Sequence, residues 1–384
     1  MTHNKRIVGE ALSEIIEAAS TGGPRISIGL MAGGSELGKE ELAKGGLLAQ
    51  ETYSGIKVVM IGPRSEGYED LEWIETEDCD ADIAAAMEKA LKDGVIQGAV
   101  ALHYPFPMGV TTIGRVVTPA KGKDMIIASS TGTSAVLRTE AMLKNAIYGI
   151  SVAKAIGKKN PSVGILNIEG AHPVYRALGQ LKEKGYDITF GQSIRKDGGA
   201  VLRGNDILAG AVDVCVNDTL TGNVMLKMFS SFTTGGSYES MGWGYGPSAG
   251  EGWPHVISII SRASGAPVIA NAIAYNAAAA KGDLPGIVAQ EMKKARAAGL
   301  DDIIASLQPK VSVVETEEVE VPPSEPTDEE LHGVDVLDIE DAVRELWKAG
   351  IYAESAMGCT GPVVKLPSRF AEKGMDILKE SNYL

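Results

Sequence analysis

Short apolar runs recur along this chain, each closed by a glycine or proline turn and followed by a stretch of helical period. Arg25–Met31, Ile56–Ile61, Gly98–Leu102, Asp124–Ser129, Ser162–Ile168, Ile188–Phe190 and Val212–Val216 read as strands. Glu36–Ser54, Asp80–Asp93, about 139–157, Pro173–Lys184, Asn205–Ala211 and the stretch from Asn217 to Phe232 read as helices. Strands that alternate with helices predict a mostly parallel sheet covered on both faces. Ligands in such folds bind where strands hand over to helices, at the carboxyl ends of the strands.

At 384 residues the chain is long enough for two domains. Its net charge of −14 argues against a nucleic-acid partner, whose phosphates want a basic face. The three cysteines, Cys79, Cys215 and Cys359, form no CxxC, and the histidines form no HxxxH or HxH, so neither a disulfide framework nor a metal site is expected. Cys215 lies inside an apolar strand and reads as core. No apolar run is long enough to span a membrane. Val8, Leu12, Ile15, Ile16 and Ala19 read as one face of an amphipathic helix rather than a leader. A cytoplasmic setting is expected.

Several strand ends carry ligand-competent residues. Ala32-Gly33-Gly34-Ser35 is a strand-to-helix turn but lacks a dinucleotide fingerprint. After Gly98–Leu102, two prolines precede Thr111-Thr112, which read as opening a helix with Arg115 one turn in; hydroxyls and free amides there would hold an anion. Asn217-Asp218-Thr219-Leu220-Thr221-Gly222-Asn223 is a capping-competent turn after a buried strand. Thr233–Gly252 is glycine-rich and reads as a long loop, a lid or partner surface. Ser261-Arg262 precedes two further helices, Ala266–Ala280 and Pro285–Ala298.

From Val311 the composition turns acidic and proline-bearing, as in a linker. Beyond it, Val336–Ala349 is amphipathic, with Ile339, Val343, Leu346 and Trp347 on one side, and Phe370–Glu380 is a last helix. Between them lies Met357-Gly358-Cys359-Thr360-Gly361-Pro362. A cysteine between glycines is either a buried residue at a tight turn or a nucleophile that a bulky acyl group can approach. His103, His172 and His255 are all open as its base.

The Asp218-x-x-Thr221-Gly222-Asn223 turn, the Gly109–Arg115 turn and Ser261-Arg262-x-Ser264 resemble motifs of the phosphate acetyltransferases and phosphate acyltransferases. The whole chain, with Met357–Pro362 as its specific sign, resembles the component C alpha subunits of glycine/sarcosine/betaine reductase complexes. The resemblance implies two parallel-sheet α/β domains with a cleft between them, as in isopropylmalate dehydrogenase, and a tethered C-terminal segment. The divisions expected are 1–139 and 140–258 for the two domains, 259–310 returning to the first, 311–335 as linker and 336–384 as the cysteine-bearing segment.

The same resemblance implies an acetyl thioester on Cys359, formed from a selenoprotein's Se-carboxymethyl group and released by phosphate as acetyl phosphate. Ser261, Arg262, Thr111, Thr112, Arg115, Asp218, Thr221, Gly222 and Asn223 would hold phosphate or acyl phosphate. It implies no cofactor beyond inorganic phosphate as substrate. It also implies a hetero-oligomer with a thiolase-like beta subunit and the selenoprotein component A. Two alternatives remain: a free-standing phosphate acyltransferase using coenzyme A or acyl carrier protein, and a non-catalytic scaffold.

Overall fold

The computed structural model describes residues 25–195, 199–308, 319–332, 334, 339–358, 361–381 and 383–384. The expected amphipathic helix around Val8–Ala19 and the candidate nucleophile Cys359 lie outside these residues.

The first part runs β1 (Ile26–Met31), α1 (Lys39–Thr52), β2 (Ile56–Gly62), β3 (Glu72–Glu75), α2 (Asp80–Lys92) and β4 (Gly98–Ala101). Then come β5 (Val110–Val117), β6 (Asp124–Gly132), α3 (Arg138–Ala155), β7 (Ser162–Leu166), α4 (Ala171–Glu183), β8 (Thr189–Phe190) and β9 (Val201–Leu202). The chain continues through α5 (Gly204–Ala209), β10 (Val214–Val216), α6 (Thr219–Ser231), β11 (Gly246–Gly250) and β12 (Ile257–Ile259). Helices α7 (Ala266–Lys281), α8 (Leu284–Ala297) and α9 (Leu300–Leu307) follow.

These strands form one continuous sheet in the order β3-β2-β1-β4-β12-β11-β5-β6-β10-β7-β8, with β9 also on β7. The arm from β3 to β12 is parallel, and so is the arm from β6 to β8. They meet through an antiparallel centre, β12-β11-β5-β6. The fold is therefore α/β and mostly parallel, as the alternation predicts, with a mixed seam where the two arms join. One core is built around Ile28, Leu30, Val58, Met60 and Ile269, the other around Ile126, Ile147, Val163, Val214 and Val288. Helix α7 packs on α1 and β4, whereas α8 packs on α3 and α9 on α4.

Two local expectations are corrected at the seam. Thr111 and Thr112 do not open a helix; they lie in β5 and are fully buried. Threonine is β-branched and fits a strand, and Thr112 Oγ1 is satisfied by the hydroxyls of Ser130 and Thr131 at 2.8 and 2.7 Å. The glycine-rich stretch expected as a loop contains β11, a buried central strand. Small residues are required there: a Cβ at Gly246, where φ is 86°, would lie 1.8 Å from the carbonyl oxygen of Ile113.

The C-terminal part is β13 (Glu329–His332), α10 (Ile339–Lys348), β14 (Glu354–Gly358), β15 (Gly361–Leu366) and α11 (Ala371–Glu380). Its strands make a separate antiparallel sheet, β13-β15-β14. The end of the acidic stretch is thus a paired strand rather than linker. Ile339, Val343 and Leu346 on α10 pack with Leu331, Leu366 and Leu378 into a third core. Each such side chain, fully buried, contributes about 1.5–3 kcal/mol, so this segment has its own apolar support.

Candidate functional site

A cavity of about 1120 Å³ opens at the carboxyl ends of β4, β6 and β12 and at the N-termini of α3 and α6. The β4 side contributes His103, Tyr104 and Phe106; the end of β6 contributes Ser130 to Thr133. Arg138 and Asn145 come from α3, Asp218, Thr219, Leu220 and Asn223 from the start of α6, and Arg262 from the turn after β12.

The sequence of the α6 turn explains its shape. Asp218 is the N-cap: its carboxylate accepts from the Thr221 amide at 3.0 Å and the Thr221 hydroxyl at 2.7 Å. That leaves the amides of Thr219 and Leu220 without a carbonyl one turn back. Gly222 is demanded by close approach, since a Cβ would lie 1.8 Å from the carbonyl oxygen of Ser129. The turn is braced by Asn217 Nδ2, which donates to Ser129 O at 2.8 Å, and by Asn223 Nδ2, which donates to Ser130 O at 3.1 Å. Asn145 Nδ2 donates to Asn217 O at 3.2 Å, tying α3 to the same turn.

Arg262 is set by the first turn of the chain. Its carbonyl accepts from the Glu36 amide at 2.8 Å, so the Ala32–Ser35 turn backs this loop and does not itself line the cavity. Two helix N-termini and Arg262 bring positive charge to the cavity, where Arg138 is paired with Glu169 at 2.7 Å and Asp218 is an acid on the lining. Such an arrangement favours an anion with several oxygens.

Of the expected anion-site residues, Asp218, Asn223 and Arg262 share this cavity. Thr221 and Gly222 lie just behind it and shape the turn. Ser261 sits beside Arg262, its hydroxyl accepting from the Ala263 amide at 3.1 Å. Thr111 and Thr112 are buried in the sheet. Arg115 is elsewhere: it pairs with Asp124 at 2.5 Å and stacks on Trp243, 4.2 Å from the ring centre. Strand β5 runs Arg115 away from the threonines; a helix would have kept them close.

Of the three histidines left open, His103 lines the cavity, whereas His172 is on α4 and His255 packs edge-to-face with Trp253. Burial, and then the Arg262 charge, hold the His103 imidazole below its ordinary range. It is therefore neutral near pH 7 and able to accept a proton. Cys215 is fully buried, and burial pushes its thiol up to about 12.

The C-terminal sheet closes one side. His332, Val334, Met357 and Pro362 line the cavity, and the Thr133 hydroxyl approaches the Met357 sulfur at 3.4 Å. Gly358 and Gly361 are register partners across β14 and β15. Residues 359–360, which join them, are outside the described residues.

The sequence reading passed over Ser130 to Thr133, although the hydroxyl run Ser129-Ser130-Thr131-Gly132-Thr133-Ser134 stands out after an apolar strand. Asn145 was also findable, as an amide side chain that follows Lys144 in a helical stretch rich in apolar residues. His332 had no sequence signal, because it reaches the cavity through the packing of β13. Among the described residues no group of three or more His, Cys, Asp or Glu could hold a metal ion, and no helix is long and apolar enough to cross a membrane.

The sequence model of a family described as fatty acid synthesis protein matches residues 25–365. The glycine/sarcosine/betaine reductase complex component C subunit alpha of Peptoclostridium acidaminophilum is 50% identical over 384 residues, covering 99% of each chain. The phosphate acyltransferase of Thermotoga petrophila is 29% identical over 236 residues, 53% of this chain and 67% of that protein. That of Thermotoga maritima is also 29% identical over 236 residues, 53% and 68% of the two chains. A crystal structure of a branched-chain phosphotransacylase from Enterococcus faecalis V583 is 14% identical, with a TM-score of 0.48 over 66% of this chain and 99% of its own. That likeness is too slight to add to the fold described above.

Proposed function

Because the chain belongs to the fatty acid synthesis protein family, and within it to the component C alpha subunits of glycine/sarcosine/betaine reductase complexes, we propose that it is the acyl-transfer subunit of such a complex. Cys359 would be the acyl carrier and the cavity the place where phosphate meets the thioester. The observation that carries this reading is positional. Met357 and Pro362, which flank Cys359 at two and three residues' distance, line the same cavity as Arg262 and the start of α6.

The chemistry has two halves. First, a Se-carboxymethyl group on a selenoprotein partner and two thiols give an acetyl thioester on Cys359, a selenide–sulfide bond and water. The methylene carbon is reduced to methyl while selenium and the second thiol, taken here to be the partner's, are oxidised. Second, a phosphate oxygen attacks the thioester carbonyl, the carbon–sulfur bond breaks, and Cys359 leaves as thiolate with acetyl phosphate as product. A thiolate suits both halves, as nucleophile and as leaving group. Arg262 and the α6 amides would fix phosphate beside the carbonyl, where positioning supplies several kcal/mol. His103 would accept the proton released when the thiol or hydrogen phosphate reacts. The partners proposed are a thiolase-like beta subunit and the selenoprotein component A.

The test is intact-mass spectrometry after incubation with acetyl phosphate, alone and with the beta subunit, followed by arsenate. An acetyl adduct absent from Cys359→Ala and discharged by arsenate without coenzyme A is the expected result. A second reading has a specific observation behind it, the identity with the Thermotoga phosphate acyltransferases. It predicts that acetyl phosphate turnover needs coenzyme A or acyl carrier protein and is equal in Cys359→Ala.

A further inference from the structure

The C-terminal module, β13 to α11, holds together without the rest of the chain. Among the described residues its core, with Leu331, Val343, Leu346 and Leu378, shares no side chain with the two cores of the body, which end at Leu307. Its sheet is separate as well. The segment before β13 belongs to it: the Thr327 hydroxyl donates to Glu354, Asp328 accepts from the Ser368 amide at 2.7 Å, and Arg369 pairs with Glu325. Between described residues, one hydrogen bond crosses from the module to the body, from Thr133 Oγ1 to the Met357 sulfur at 3.4 Å, and a thioether is a weak acceptor. Charge opposes the contact. From Val319 onward there are fourteen acidic residues against six basic, and the preceding part of the chain is also acidic. Units of one chain joined this thinly move relative to one another by default.

The chemistry asks for such movement. This step rests on the reading above, in which Cys359 takes its acyl group from one protein and gives it to phosphate in the cavity of another part of the chain. Met357 and Pro362, on either side of Cys359, line a cavity of about 1120 Å³. That is the size of a small-molecule site. It admits phosphate and an acetyl group, and it does not admit a folded protein that carries selenium on its own backbone.

We propose that the C-terminal module is a carrier domain. It leaves the body as a unit to be loaded at the selenoprotein, and it docks again so that the β14–β15 end of its sheet meets phosphate near Arg262 and the start of α6. The surface it presents is the same at both stations, with His332, Met357 and Pro362 at its centre. The connection between the two parts, residues 309–318, is long enough as a chain to span up to about 35 Å. Docked and undocked forms then coexist in the free chain, and a partner that binds the undocked form shifts the balance toward it.

The experiment is pulsed electron–electron distance measurement on the full-length chain, spin-labelled at Val95→Cys on the body and Met375→Cys on α11, both exposed positions. Cys79→Ser and Cys359→Ala remove the competing thiols, and Cys215 is fully buried and stays unlabelled. The expected distribution has two parts, a narrow docked distance and a broad one. Met357→Ala, which removes the contact with Thr133, should at least double the broad part. The carboxymethylated selenoprotein should enlarge it too. A control pair, Val95→Cys/Val117→Cys, lies wholly on the body and should give one narrow distance throughout. A single narrow distance for the first pair, unchanged by Met357→Ala and by the selenoprotein, overturns the proposal. The two readings fail separately. Two distances in a chain whose Cys359 accepts no acetyl group keep the moving module and sink the thioester; an acetyl adduct on Cys359 with one fixed distance does the reverse.

Discussion

His103 and Arg262 come from successive strand ends, after β4 and β12, and face one cavity. The imidazole lies below its ordinary pKa, chiefly through burial and then through the guanidinium charge. The sign of the consequence follows from linkage. As pH falls below about 6.5, the unfolded chain takes up a proton at this position before the folded one does. Stability at full strength above that pH is therefore lost as pH falls toward the folded value. His103→Gln should flatten this acid-side loss in melting temperature between pH 7 and 5. The acid limb of acetyl transfer should lie below pH 6.5 in the wild type and vanish in the variant. An unchanged limb would remove His103 from the proton path.

Gly222→Ala should be costly, because Gly222 is buried where α6 approaches the end of β6 most closely. Its Cβ would meet the Ser129 carbonyl oxygen at 1.8 Å and Asn217 Nδ2 at 2.4 Å. Neither atom can yield, since Asn217 bonds to that same carbonyl. A loss of roughly 1–3 kcal/mol, typical of overpacking, is expected in urea denaturation. A midpoint equal to wild type would mean that α6 can slide off β6.

Asp218 separates capping from charge. Asp218→Asn keeps an acceptor for the Thr221 amide, whereas Asp218→Ala removes it. The alanine variant should lose about 1 kcal/mol of stability and the asparagine variant much less. If removing the negative charge beside the anion-favouring amides helps phosphate bind, Asp218→Asn should lower the KM for phosphate with little change in kcat. Equal destabilisation by both changes would show that the carboxylate charge matters to the fold itself.

What the sequence made legible depended on which signals are local. Strands β1, β2, β4, β6, β7, β8 and β10 and the helices between them have apolar runs of the right length, so their succession along the chain and a mostly parallel sheet were readable, whereas the short β3, β9 and β12 were not named. β11 was not, because Gly246–Gly250 carries no strand-favouring side chain; its conformation is imposed by the crowding of Ile113 across the seam. Thr111 and Thr112 satisfied two patterns, a helix start and a strand, and a register with β6 decided between them. β14 and β15 are short and glycine-ended, so the C-terminal sheet is visible only once β13 joins it. Asp218, Asn223 and Arg262 were nameable because capping and charge mark them locally. His332 and Thr133 reach the cavity by tertiary packing, which no spacing in the chain records.

Thiol reactivity gives a check on the buried strand and on the free surface together. Cys79 is exposed, whereas Cys215 lies inside β10, fully buried, with its thiol pushed up to about 12. A thiolate is the reacting species, so at pH 8 Cys215 is both inaccessible and protonated. In Cys359→Ala, an aromatic disulfide reagent should therefore titrate one thiol per native chain and two after denaturation. The wild type should show one more rapid equivalent if Cys359 is the nucleophile proposed. That extra thiol should slow when phosphate fills the cavity and stay unaffected in Arg262→Ala. Two native equivalents in Cys359→Ala would mean that β10 opens on the timescale of the assay, and with it the first core, in which Cys215 packs.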